Sequence, residues 1–137
     1  MKTKCAILFF LILTLVSCAT MQSWFKPIAK YNQRSYENFT ALQANLKVLI
    51  DTLSSETSQD RIDSFYLMFD VIYEYERGKG LENHETIAQL ELLKKRIDTF
   101  VDEALTEDLT IDYREAKKET LARILDVIIS TEYAKPK

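Results

Sequence analysis

Two glycines, two prolines, two cysteines, one histidine and one tryptophan are all that 137 residues hold of these types. Each scarcity excludes something. Gly78, Gly80, Pro27 and Pro136 lie outside the periodic segments, so those segments run without breakers, which favours long helices with tight connections. A glycine-rich phosphate loop has too few glycines to be built from. With His84 as the one histidine, a zinc site would lack the usual His and Cys spacing, and Ser-His-Asp chemistry would hinge on that single ring. His84 lies between Glu82 and Glu85 at a helix start, where a solvated first turn is the plain reading. No segment alternates cleanly between apolar and polar residues, so sheet is not expected. There is no internal repeat and no low-complexity segment. A basic excess is missing too: the formal net charge is −3, which argues against nucleic-acid binding.

What is present begins at the N-terminus. MKTK carries Lys2 and Lys4, CAILFFLILTLV (residues 5–16) carries no charge, and Ser17 and Cys18 follow. A positive n-region, an apolar h-region and a small residue make a secretory signal. As a helix, residues 5–16 span roughly 18 Å, short of the 30 Å of a bilayer core. An uncleaved anchor becomes borderline only if the run is stretched to Met21. Leu15-Val16-Ser17-Cys18 resembles the lipobox of bacterial lipoproteins. The resemblance covers residues 1–18 alone. It implies a diacylglyceryl group on the Cys18 sulfur, cleavage before Cys18 and acylation of the new amino group; two or more acyl chains suffice for stable anchoring. Ala19 in place of Asp favours the outer membrane where the host has one. The division is then a signal peptide at 1–17, a lipidated tether at 18–25 and a helical domain at 26–137.

Removal of the signal takes Lys2 and Lys4 away, moves the charge to −5, and leaves no cysteine besides Cys18. Such a domain must be held by its core alone. About 120 residues is an ordinary single-domain length. Apolar positions recur at helical spacing in four segments. The first runs from about Ile28 to Leu53, on Ile28, Tyr31, Ser35, Phe39, Leu42, Leu46, Leu49, Ile50 and Leu53. The second runs from Gln59 to Arg77, capped by Thr57 or Ser58 and ended by Gly78 and Gly80. The third runs from His84 to Leu105 behind an Asn83 cap, on Ile87, Leu90, Leu93, Ile97, Phe100, Val101 and Ala104. The fourth opens on an Asp112/Glu115 capping box and carries Leu121, Ile124, Leu125, Val127, Ile128 and Ile129 to Tyr133. Connections of about five residues suggest an all-α, up-down-up-down four-helix bundle. A three-helix core with one peripheral helix is the alternative.

Only ATMQSWF separates Cys18 from Lys26, a reach of roughly 25 Å, so one end of the bundle is expected near the bilayer. Trp24 and Phe25 sit either at headgroup level or under the bundle; Lys26 and Lys30 follow them. That end also collects Arg34, Arg77, Lys79, Lys135 and Lys137, and is expected to lean on anionic lipid. The far end collects Asp51, Glu56, Asp60, Asp63, Asp102, Glu103, Glu107, Asp108 and Asp112. Neither end is pure: Glu74, Glu76, Glu82 and Glu85 are near, and Arg61 and Arg114 are far.

The second helix is greasier than a bundle helix needs to be. Ile62, Phe65, Tyr66, Phe69, Ile72 and Tyr73 make a core face, and Asp63, Asp70, Glu74 and Arg77 a narrow polar stripe. Leu67, Met68, Val71 and Tyr75, with Ser64, are left as a second apolar face, where about a third of the circumference would suffice. Either the tail or C-terminus covers it, or it is a contact surface for a second copy or another protein. No catalytic, metal or cofactor signature stands out. The sequence therefore reads as a membrane-tethered, non-enzymatic lipoprotein that binds or helps assemble a protein in the bacterial envelope. The alternatives are a protective surface module acting through Glu107 and Asp108, and a small-ligand carrier.

Overall fold

The computed structural model describes residues 29–54 and 59–137. Among them are four α-helices, one short 3-10 turn and no strand: α1 Gln33–Thr52, α2 Gln59–Arg77, the turn Leu81–Asn83, α3 His84–Thr106 and α4 Ile111–Tyr133. The described residues form an all-helical structure, as a helical bundle requires. Each helix touches two others: α1 lies against α2 and α4, and α3 against the same two.

Most stripe residues expected on the first three helices are buried, while Tyr31, Tyr66, Tyr73 and Ile87 are half-buried and Ile28 lies outside the described residues. Phe39, Leu42, Leu46, Leu49, Ile50 and Leu53 on α1 join Ile62, Phe65, Phe69 and Ile72 on α2. Leu90, Leu93, Ile97, Phe100, Val101 and Ala104 on α3 complete most of one core. Of the apolar residues on α4 only Leu121, Leu125 and Ile128 are fully buried, with Ile124 and Ile129 packed at the margin. Val127 is exposed. It lies about 100° from Ile128 around the helix, at the flank of a stripe made by 121, 125 and 128.

Helix starts differ from the sequence reading in three places. α1 begins at Gln33, not near Ile28, because the Asn32 side chain accepts from Ser35 N and caps it. α4 is capped by Thr110, whose hydroxyl accepts from Tyr113 N; Asp112 is therefore inside the first turn, where its charge suits the helix dipole. Asn83 precedes α3 but makes no capping hydrogen bond. It is buried and turned inward instead. Thr57 and Ser58 lie outside the described residues. Of the two glycines after α2, Gly80 alone has positive φ, at 90°, a backbone state that side chains resist.

Side-chain bonds record how neighbours run. Tyr66 donates to Asp98 and Tyr73 to Glu91, so positions rise on α2 as they fall on α3. Gln43 reaches Asp126 and Lys118 reaches Asp51 in the same inverse order between α1 and α4.

Candidate functional site

At the end where residue 29 leads into α1, every core stripe finishes on a polar side chain. Four residues before Phe39 stands Ser35, four after Ile72 stands Glu76, four before Leu90 stands Thr86, and four after Ile128 stands Glu132. The four, with Asn83, are buried. Helical spacing of four keeps a residue on the same face, so these groups are carried inside by the apolar residues one turn away.

Their hydrogen bonds form one network. Ser35 Oγ donates to Glu76 Oε1 at 2.5 Å, and Asn83 Nδ2 donates to Glu76 Oε2 at 2.8 Å and to the Glu76 carbonyl at 3.1 Å. Lys79 Nζ pairs with Glu76 Oε2 at 2.8 Å and also contacts Ser35 Oγ. Lys135 Nζ pairs with Glu132 and donates to Asn83 Oδ1 at 3.0 Å and Thr86 Oγ1 at 3.4 Å. The backbone N–H of Asn32 donates to Glu132 Oε1 at 2.7 Å, and Tyr31 N–H to the Pro136 carbonyl at 2.9 Å. Two buried carboxylates thus meet two ammonium groups, and the segment before α1 is pinned to the segment after α4.

Ser35 beside Lys79 has the elements of a serine-lysine pair, which needs an accessible hydroxyl and a lysine able to take its proton. Ser35 is fully buried, and Lys79 is an ion-pair partner of Glu76. The arrangement satisfies buried charge and joins all four helices.

The network changes the balance expected of this end. Lys79 and Lys135 are engaged internally and are not part of a basic outer surface. Lys30, Arg34, Arg77 and Lys137 are exposed there, against exposed Glu37, Glu74, Glu82 and Glu85, and Arg77 is paired with Glu74 at 2.7 Å. The described surface of this end is close to neutral. Tyrosines rim it. Tyr133 packs edge-on against Tyr31 with centroids 6.4 Å apart and lies 6.2 Å from Tyr36. Lys137 Nζ is 5.6 Å from the Tyr133 ring.

The second face of α2 divides. Leu67 and Val71 are 68% and 61% exposed. Met68 is half-buried and packs against the core. Tyr75 is half-buried, donates to Asn32 Oδ1 at 3.1 Å and lies under the Arg34 guanidinium at 4.9 Å. The C-terminal segment is held at Tyr31, Asn83 and Thr86, and Leu67 and Val71 stay open. Of the residues expected from sequence to lie near a membrane, Lys30 is exposed. Trp24, Phe25, Lys26 and Cys18, the residue expected to be lipidated, lie outside the described residues. Glu107 and Asp108 are exposed beyond α3.

His84 is exposed; its Nδ1 lies 3.1 Å from the Leu81 carbonyl, and its Nε2 is 3.9 Å from Glu85. Among the described residues no three His, Cys, Asp or Glu side chains are gathered as for a metal ion. A groove of about 350 Å³ runs between α1 and α4, with Leu46, Ile50 and Leu125 at its base and Ala44, Ala122 and Lys118 among its walls. The alanines leave it open where larger side chains would interdigitate. Between α2 and α3, burial and then the hydrogen bond to Asp98 push the Tyr66 phenol well above its ordinary range. No described helix is long and apolar enough to cross a membrane.

No family model, curated protein or solved structure matches this chain.

Proposed function

We propose that the chain is a bacterial lipoprotein: an up-down-up-down four-helix bundle held on a membrane of the cell envelope through acyl chains on Cys18. It acts there as a non-enzymatic protein-binding or assembly module. The observation that carries this reading is Leu15-Val16-Ser17-Cys18 placed directly after a lysine-bearing start and an uncharged run. The inverse order of the α1–α4 and α2–α3 side-chain pairs supports the topology. The closed Ser35–Lys79 contact supports a role without covalent chemistry. Leu67 and Val71 give a binding reading its surface, since adjacent exposed apolar side chains on a charged domain favour contact with a partner or a second copy.

The test is metabolic labelling with palmitate in a bacterial host. The wild-type chain takes up label and fractionates with membranes; Cys18→Ser loses both. An unlabelled wild-type chain sinks the reading. For the binding surface, Leu67→Lys with Val71→Glu is the informative pair, because Met68 and Tyr75 also serve the core and the Asn32 cap. Loss of a partner with helicity intact places the interface on α2. A second reading, a carrier of a small apolar ligand, is favoured by the α1/α4 groove, whose volume lies at the lower end of ligand pockets. Filling it with Ala122→Phe would abolish such binding.

A further inference from the structure

We infer that the bundle rests end-on against the bilayer, with Leu81 as the residue that enters the headgroup region; this depends on the lipid tether proposed above. Leu81 is 89% exposed. Gly80, at φ 90°, turns the chain so that the 3-10 turn presents it. The turn is not free to fold the leucine away. Lys79 on one side is bound to Glu76 and Ser35, and Asn83 on the other is bound to Glu76 and Lys135. A rigid base therefore holds out one large apolar side chain.

The occupant follows from where the chain leads. Asn32 and Tyr31 are fixed to Glu132 and Pro136 at this same end. Ten residues, 19–28, separate Cys18 from Ala29, a reach of at most about 35 Å. The acyl chains thus keep this end within that distance of the lipid, while α1 carries the opposite end roughly 30 Å away. Tyr133, 62% exposed, and half-buried Tyr31 add amphipathic rings of the kind that settle at headgroup level. The near-neutral surface charge neither drives nor opposes contact, so apolar insertion decides it. One leucine and a tyrosine rim bind a free domain too weakly to hold it. On a tether, the same contact becomes intramolecular and is favoured by effective concentration.

The full-length, lipidated chain, with Trp24→Phe as background, is reconstituted into phosphatidylcholine–phosphatidylglycerol vesicles. One form carries Leu81→Trp and the other Ile111→Trp, since Ile111 is 79% exposed at the opposite end. Lipids brominated near the headgroup serve as quencher. The expected result is loss of most emission from the tryptophan at 81 and unchanged emission at 111. Unchanged emission at 81 in a palmitate-labelled chain overturns the docking and leaves the tether standing. Equal quenching at both positions overturns the end-on orientation. A blue-shifted emission at 81 in lipid-free, sedimenting dimers assigns the tip to a second copy and also overturns it. Absence of palmitate removes the tether itself, a separate failure read from the label.

Discussion

At the end where the chain leads into α1, the core stripes finish on Ser35, Glu76, Thr86 and Glu132, and two lysines lie over them. At the opposite end the same core runs out on Ile50, Leu53 and Ala104, with Leu105 and Leu109 packed at its margin. There one side chain reaches several backbone carbonyls: Arg114 contacts the Leu53 carbonyl, lies 3.5 Å from that of Ile50 and donates from Nε to that of Leu109 at 3.3 Å. Two of these carbonyls lie at the end of α1, where the last turn of a helix has acceptors to offer. The apolar end gains by burial, which tolerates small changes of register. The polar end does not, because a shifted helix would leave a carboxylate or an ammonium unpaired in low dielectric. The difference suggests that one end supplies stability and the other fixes which faces meet.

The largest effect is expected where one charge of the layer is removed. Glu132→Ala strands Lys135 and the Asn32 N–H, and Glu76→Ala strands Lys79 and Asn83; either should cost about 3–5 kcal/mol, the range for breaking a buried pair. Urea denaturation of residues 19–137 measures it. Removing both partners of one pair, as Glu132→Leu with Lys135→Leu, should recover part of the loss. The recovery stays incomplete because Asn32 N–H and Asn83 Oδ1 remain without partners, at about 1–3 kcal/mol each. A double variant no better than the single one would show that the pair's geometry, and not its charge, holds this end.

Arg114→Ala probes the other side of the comparison. Charge-assisted hydrogen bonds to carbonyls contribute about 1.5–3 kcal/mol, so the loss should be smaller than at Glu132. Arg114→Lys keeps the charge without the planar fork and should rescue only part of it. A larger loss at Arg114 than at Glu132 would reverse the assignment of the two ends.

The four helices were legible because their apolar residues recur at helical spacing and the breakers fall between them. The polar layer was not, although its signal was in the same spacing. Glu76 reads as a charge near a helix end, where solvation is the ordinary outcome, and Glu132 draws no reading at all, yet each stands four residues beyond a core isoleucine. Extending the stripes by one turn would have placed them inside. The same default put Lys79 and Lys135 on a basic outer surface. Caps were misread for a related reason: Asn32, Thr110 and Asp112 are all good capping types, and only backbone geometry chooses between them. On α2, composition showed an excess of apolar surface but not its division. Met68 and Tyr75 are drawn in by the core and by Asn32, while Leu67 and Val71 are not.

Between the two ends, Tyr66 gives a pH-dependent measure of the α2–α3 contact. Its phenol is raised by burial and by the bond to Asp98, so the folded state holds this proton more tightly than the unfolded chain. Its contribution is complete below the unfolded value near 10 and is lost as pH rises from there through the folded value. Alkaline unfolding followed by tyrosinate absorbance should show one phenol ionising last, together with loss of helicity. Tyr66→Phe should remove that late phase and cost about 1 kcal/mol at neutral pH for the hydrogen bond.

The smallest effect belongs to the apolar end's rim. Glu103 accepts from Tyr113 Oη at 2.6 Å and pairs with Lys117 at 3.0 Å. These donors, Tyr113 first, hold its carboxyl below the ordinary value of 4.5. A lowered carboxyl contributes stability above its unfolded value and loses it as pH falls through the folded one. The side chain is partly open to solvent, which limits the pair to at most about 1 kcal/mol. Glu103→Gln should therefore leave thermal unfolding at pH 7 nearly unchanged and flatten its decline below pH 4.5. A Glu103→Gln loss as large as that of Glu132→Ala would mean that the rim, and not the buried layer, is where charge holds the helices together.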